Sequence, residues 1–168
     1  NQLNPTDVLL LRPNISADIP DIVLFRPNVG IVLFDVREEA IPWDLLDMTR
    51  PNGLFEEKKQ ENFEFIKEKL KDIISKVKSY ENRLIDLHIE NLREKIFDNY
   101  KYLKVIRKVV VCAENTAEEI SALCMNVNLE KRNYTDLLSI HDLNNISYKL
   151  RIDKSCPEFS DELAHSFK

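Results

Sequence analysis

The clearest pattern along the chain is an apolar run, Val29-Gly30-Ile31-Val32-Leu33-Phe34-Asp35-Val36, interrupted by one acid and closed by Arg37. A run this apolar predicts a strand covered on both faces. With a side-chain period of two, Ile31, Leu33, Asp35 and Arg37 share one face, and Val32, Phe34 and Val36 share the other. A second apolar run, Pro20-Asp21-Ile22-Val23-Leu24-Phe25, precedes it. The intervening Arg26-Pro27-Asn28-Val29-Gly30 carries the Pro, Asn and Gly of a reversing turn. The two runs predict a hairpin that folds Asp21 back towards Asp35. Val8-Leu9-Leu10-Leu11, bounded by Pro5 and Pro13, predicts a short edge strand.

Further on, the period changes to that of a helix. Phe63, Ile66, Leu70, Ile73, Ile74, Val77, Leu84 and Leu87 recur at threes and fours, predicting a long helix from about Phe55 to near His88, straight or bent. Ile89, Leu92, Ile96 and Phe97 continue the pattern as a second, short helix. Val105 to Cys112 is β-branched and apolar, the pattern of a strand that follows helices and so enters the sheet parallel to a neighbour. Thr116 with Glu119 forms a capping box that opens a helix reaching about Met125. Asp142 is expected to cap another short helix, and Ser160 or Asp161 a last one. The acidic stretch from Glu38 to Asp44 and the Pro51-Asn52-Gly53 turn read as a surface excursion. This order predicts an α/β domain with a mixed central β-sheet flanked by helices.

Composition narrows the function. At 168 residues and 43% hydrophobic content the chain makes one domain with a core. It lacks the run of about 18 apolar residues that a membrane-spanning helix needs. The beginning, Asn1-Gln2-Leu3-Asn4-Pro5, has no basic end and no apolar stretch, so no signal peptide is expected, and the missing initial Met suggests a fragment of a larger protein. Cys112, Cys124 and Cys156 are odd in number and lack paired spacing, which argues against a disulfide framework and a zinc site and points to the cytoplasm. The net charge of −5 gives no general attraction to nucleic acid, so binding would rest on local clusters. Lys67, Lys69, Lys71, Lys76 and Lys78, and then Lys101, Lys104, Arg107 and Lys108, are the candidates, though most of them read better as a solvated helix face rich in Lys and Glu. His88, His141 and His165 lack ligand spacing and suit helix ends and surface. Trp43 either packs under a loop or stacks on a base. Two glycines do not make a phosphate-binding loop, so ATP binding would reside elsewhere.

The residues with chemical potential are Asp21, Asp35 and Arg37. A carboxylate inside an apolar strand costs several kcal/mol unless a cation pairs or ligates it. Phosphodiester hydrolysis needs a hard divalent cation held by oxygen ligands and a positive side chain near the phosphate. Two carboxylates from adjacent strands meet the first need, with the Val36 carbonyl as a third ligand, and Arg37 or a nearby Lys meets the second. The plainer alternative is that Asp21 begins a strand after Pro20 while Asp35 and Arg37 form an ion pair at a strand end.

Pro20-Asp21-Ile22-Val23-Leu24, followed by Gly30-Ile31-Val32-Leu33-Phe34-Asp35-Val36-Arg37, resembles the PD-(D/E)xK restriction-endonuclease-like core, and specifically the nuclease-related domain (NERD) family. The segment from Val77 to Ile89 resembles the helix after that core. Val109-Val110-Val111-Cys112 leading into Asn115-Thr116-Ala117-Glu118-Glu119 is similar to the family's later strand and helix. The stretch around Asp136-Leu137-Leu138, with Phe159 to Phe167, resembles the part joining such domains to a UvrD-like superfamily 1 helicase, so the tail from about 150 is expected to be a linker. The resemblance implies a Mg²⁺- or Mn²⁺-dependent DNA nuclease over residues 1–168, with Asp21, Asp35 and Val36 holding the metal. A helicase domain in the same polypeptide and a setting in bacterial anti-phage defence are implied as well. Arg37 stands where the family has its lysine, and arginine does not give up a proton at neutral pH. Lys76 stands where the family helix tends to carry Gln, on the flank of the apolar stripe, and is expected to take over part of the missing lysine's role. An additional acid that related domains offer from an N-terminal helix has no counterpart before Asp21. The alternative is a degenerate domain that binds nucleic acid or a protein partner without cutting.

Overall fold

The structure, a computed structural model, describes residues 3–15, 19–42, 56–127, 135–150, 152 and 154–165. Five strands form one sheet in sequence order: β1 (Val8–Leu11), β2 (Ile22–Arg26), β3 (Gly30–Arg37), β4 (Ile106–Cys112) and β5 (Thr135–Ser139). β1, β2 and β3 are antiparallel, and β4 and β5 add in parallel, so the sheet is mixed as the element order predicts. The hairpin turn rests on Asn28 at φ 60° and Gly30 at φ 134°, with Val29 N–H donating to the Arg26 carbonyl at 3.1 Å. Gly30 is required on two counts: its backbone angle suits glycine, and a Cβ there would lie 2.4 Å from the Val105 carbonyl oxygen.

Between β3 and β4 the chain crosses over through α1 (Glu56–Arg83), a single π-helical turn (Leu84–His88), α2 (Leu92–Asp98) and a 3₁₀ segment (Tyr100–Val105). The α1 side of the sheet buries Val23, Ile31, Leu33 and Val110 against Ile66, Leu70, Val77 and Leu84. On the other side Leu24, Val32, Phe34, Val109, Val111 and Leu138 are covered by Leu150 and Ile152. Both faces of β3 are thus covered, the condition under which a continuous apolar run is stable as a strand. The expected stripe fails at Leu87, which is 60% exposed. The wider π turn shifts the phase of the helix, and Leu84, Ile85 and Ile89 take the inward positions instead. Phe97 is also exposed, at 94%, because Leu92 already fills the inward position of the short α2.

α3 (Ala117–Val127) opens on the expected capping box: Glu119 N–H donates to Thr116 Oγ1 at 3.2 Å, and Thr116 N–H to Glu119 Oε2 at 3.0 Å. β5 was not foreseen as a strand, since Leu137 and Leu138 alone carry its apolar signal. Asp142 is not the cap of the following 3₁₀ helix (Ile140–Asn145). Ser139 is the cap, and Asp142 returns the bond from the third position, accepting from Ser139 N–H at 2.9 Å. α4 (Ile146–Lys149) and α5 (Asp161–His165) complete the described chain, with Leu163 N–H donating to Ser160 Oγ at 3.4 Å. Residues past 150, read from sequence as a joining segment, contribute buried Ile152, Cys156, Phe159 and Leu163. Arg26 ties three regions together: it donates from Nε and Nη2 to Asp7 at 2.9 and 2.6 Å and from Nη1 to the Ile152 carbonyl at 3.0 Å. Among the described residues no helix is long and apolar enough to cross a membrane. Trp43 and the Pro51-Asn52-Gly53 turn lie outside the described residues.

Candidate functional site

Asp35 sits near the end of β3, on its α1-facing side and fully buried. Two cations meet it. Lys76, reaching down from α1, donates from Nζ to Oδ1 at 2.7 Å. Arg37, two residues along the same strand face, brings Nε to 2.7 Å from Oδ2. That N–H is not aimed at the carboxylate, so the contact is an ion pair without a hydrogen bond, and buried Oδ2 is left with no donor. Tyr80, one helical turn after Lys76 and 1% exposed, places its hydroxyl 3.5 Å from Asp35 Oδ1 and 3.4 Å from the Ile19 carbonyl. Lys76 Nζ also lies 5.7 Å from the Tyr80 ring centroid. Residues at i and i+4 of α1 therefore close over one carboxylate, as helical geometry allows.

These contacts set the local titration. Partial burial alone would lower the Lys76 ammonium, but hydrogen bonds to Asp35 and Tyr80 outweigh it, and its pKa lies above the ordinary lysine value. Burial raises the Tyr80 phenol, with the Asp35 and Asp21 carboxylates adding to the effect and Lys76 opposing it. Cys112, the cross-strand neighbour of Arg37, is pushed up to about 11, chiefly by burial, and is a neutral thiol.

Asp21 stands one residue before β2. Its backbone N–H donates to the Phe34 carbonyl at 3.1 Å, and its Oδ2 accepts the Val36 N–H at 2.7 Å. The side chain thus extends the β2–β3 ladder past the last strand pair, Ile22 with Phe34. A residue's N–H and C=O point to the same edge of a strand, so the Val36 carbonyl lies on the edge that Asp21 occupies. The structure therefore brings Asp35, Arg37 and Lys76 into direct contact, and sets Asp21 and Val36 together at the adjoining strand edge. Tyr80 was not singled out in sequence, although its i+4 spacing from Lys76 on a helix is the signal that marks it.

The second basic cluster is not a continuous surface. Lys108 is buried and bonded through Nζ to Glu81 Oε1 at 2.5 Å, on the same side of the sheet as Asp35. A lone Lys within a β-branched run is the same kind of signal as Asp35: a charge inside an apolar strand requires a partner. Glu38 and Glu39 are exposed, as the surface reading requires, but Ile41 is buried and its backbone is fixed by Asn115, whose Nδ2 donates to the Ile41 carbonyl at 2.9 Å and whose Oδ1 accepts from its N–H at 2.8 Å. This holds the chain leaving β3 against the loop after β4. All three cysteines are free thiols. Among the described residues no three His, Cys, Asp or Glu side chains gather as a metal cluster. Compared with protein-family models, with curated proteins and with solved structures, the chain matches none.

Proposed function

We propose that the domain is a metal-dependent DNA nuclease of the PD-(D/E)xK type, related to the NERD family and working beside a helicase domain in the same polypeptide. The observation that carries the reading is a buried carboxylate, Asp35, held at a strand end between an ammonium and a guanidinium. Support at the level of the fold comes from the antiparallel β1–β2–β3 meander, crossing over through α1 to a parallel β4. Bacterial anti-phage defence is the setting that such fusions suggest.

The donors present fit a divalent ion. Mg²⁺ needs one or two carboxylates and completes its shell with water and substrate phosphate. Asp35 Oδ2 lacks a donor, and Asp21 and the Val36 carbonyl share the neighbouring edge, so these three would hold the ion. When bound, it supplies polarisation of the phosphate and of an attacking water. The rest falls to side chains. Lys76, kept protonated by Asp35 and Tyr80, is not the proton acceptor; it presents positive charge to a phosphate oxygen. Arg37, 30% exposed at its side chain, offers a fork suited to two phosphate oxygens. Lys76 thereby covers the electrostatic part of the role that the family's lysine fills, and Arg37 occupies the lysine's place without its chemistry.

A second reading has its own observation. Asp35 is already paired with two cations of the chain itself, which a third cation must partly displace. A domain that binds nucleic acid or a protein partner without cutting would keep this arrangement as a structural ion triad. Incubation of plasmid and linear DNA with Mg²⁺ or Mn²⁺ separates the two. The nuclease reading requires cleavage by the wild type and its loss in Asp35→Ala; intact DNA under both ions favours the non-cutting domain.

A further inference from the structure

We infer that the buried Glu81–Lys108 pair is the register key of α1, positioning Lys76 over Asp35. This inference concerns how the site is assembled and stands whether or not the site cleaves DNA.

The packing of α1 leaves its axial position underdetermined. Ile66, Leu70, Ile73 and Val77 present similar aliphatic side chains to the core against the sheet, so along this stretch a slide by one turn, about 5.4 Å, exchanges one branched aliphatic for another. Directional polar contacts remove that freedom, in the way a single buried polar residue fixes the register of a coiled coil. Besides the Tyr80 hydroxyl, which meets Asp35 and the Ile19 carbonyl, α1 makes two charged contacts with adjacent strands. Lys76 meets Asp35 of β3, and Glu81 meets Lys108 of β4.

Their spacings agree. Five residues of helix separate Lys76 from Glu81, a rise of about 7.5 Å. On the sheet, Asp35 pairs with Val110, and Lys108 lies two residues earlier, about 6.6 Å back along the strand. Helix and strand run in opposite directions over this span, so both contacts are satisfied at the same axial position. A slip of one turn breaks both at once. It would leave Glu81, which is 6% exposed, without its cation, and Asp35, which is fully buried, with Arg37 alone.

The two pairs are not equivalent. Lys76 is half exposed at its side chain, so its amine has water as an alternative partner. Lys108 and Glu81 are 5% and 8% exposed and have no such alternative within the sheet–helix interface. The stronger constraint on register is therefore the buried pair, and Lys76 is the residue placed by it. Glu81 and Lys108 are positioning residues and touch none of the reacting groups proposed above.

The test reads the acylation of Lys76 by an amine-reactive ester, by mass spectrometry, in the full chain. Lys78, exposed on the same helix, is the internal reference. In the wild type the pairing with Asp35 slows Lys76 relative to Lys78, and Asp35→Asn defines the ratio for an unpaired Lys76. Replacing the buried pair by apolar residues, Glu81→Leu with Lys108→Met, is expected to raise the Lys76 to Lys78 ratio several-fold, to the Asp35→Asn level, in a folded protein. The swapped pair, Glu81→Lys with Lys108→Glu, restores the contact and is expected to return the ratio to the wild-type value. A folded apolar variant that keeps the slow ratio, or a folded swapped variant that loses it, overturns the inference. So does failure of both variants to fold, since the pair would then sustain the whole fold rather than seat Lys76.

Discussion

A carboxylate near the end of an apolar strand is the residue from which the site was legible in sequence. Asp35 required a cation, and the structure supplies two, Arg37 from two positions along the same face and Lys76 from the helix above. Arg37 followed from the period of two. Lys76 followed from its place on the flank of the helical stripe, and its contact with Asp35 depends on a tertiary crossing that no local pattern contains. Tyr80 and Glu81 were missed because an aromatic and an acid on a Lys- and Glu-rich helix look like ordinary surface. At this scale Lys76→Ala, which removes one preorganised positive group, is expected to lower Mg²⁺-dependent cleavage by about 10²-fold or more with little change in fold, as read by single-turnover assays. Lys108→Ala differs in acting on stability as well. It leaves Glu81 buried without a partner and is expected to cost about 3–5 kcal/mol in urea unfolding; a loss below about 1 kcal/mol would mean that Glu81 finds water or another donor.

Elements were legible where a pattern was long. The hairpin strands and β4 appear within a residue or two of their expected bounds, and the long helix spans most of its expected length, its α-helical part ending at Arg83 and a π turn carrying it on to His88. β5 has two leucines, too few to set a period, and its strand conformation comes from pairing with β4. The π turn at Leu84–His88 inserts its shift without a local marker, which is why Leu87 was placed on the wrong face. The tight elements also make sharp predictions. Gly30→Ala sets a Cβ against the Val105 carbonyl at a backbone angle that L residues rarely adopt, so it should lower the melting temperature markedly and disturb the crossing of β3 with the segment entering β4. Thr116→Ala removes the α3 cap and is expected to cost about 1 kcal/mol in chemical denaturation.

On the scale of the whole molecule, Arg26 links the first strand, the hairpin and the C-terminal stretch. Hydrogen bonding from Arg26 holds the Asp7 carboxyl below its usual 3.8, with burial opposing. A depressed acid stabilises the fold above its unfolded pKa, and this contribution disappears as pH falls through the folded value. Stability should therefore decline below about pH 4, and Asp7→Asn should be less stable at neutral pH while losing part of that acid dependence; parallel acid curves for the two proteins would contradict the linkage. The packing of the C-terminal stretch was not legible because its apolar residues are spread too thinly to show a period: Ile152 joins the core on one side of the sheet, and Cys156, Phe159 and Leu163 join the core on the α1 side. The site itself depends on this scale, since β2, β3 and α1 each deliver one part of it. The most direct test is Mn²⁺ binding by the wild type and by Asp35→Asn, followed by electron paramagnetic resonance in the presence of duplex DNA. A single bound ion per chain that disappears in Asp35→Asn is predicted; equal uptake by both proteins, or none by the wild type, would contradict a metal shared by Asp21 and Asp35.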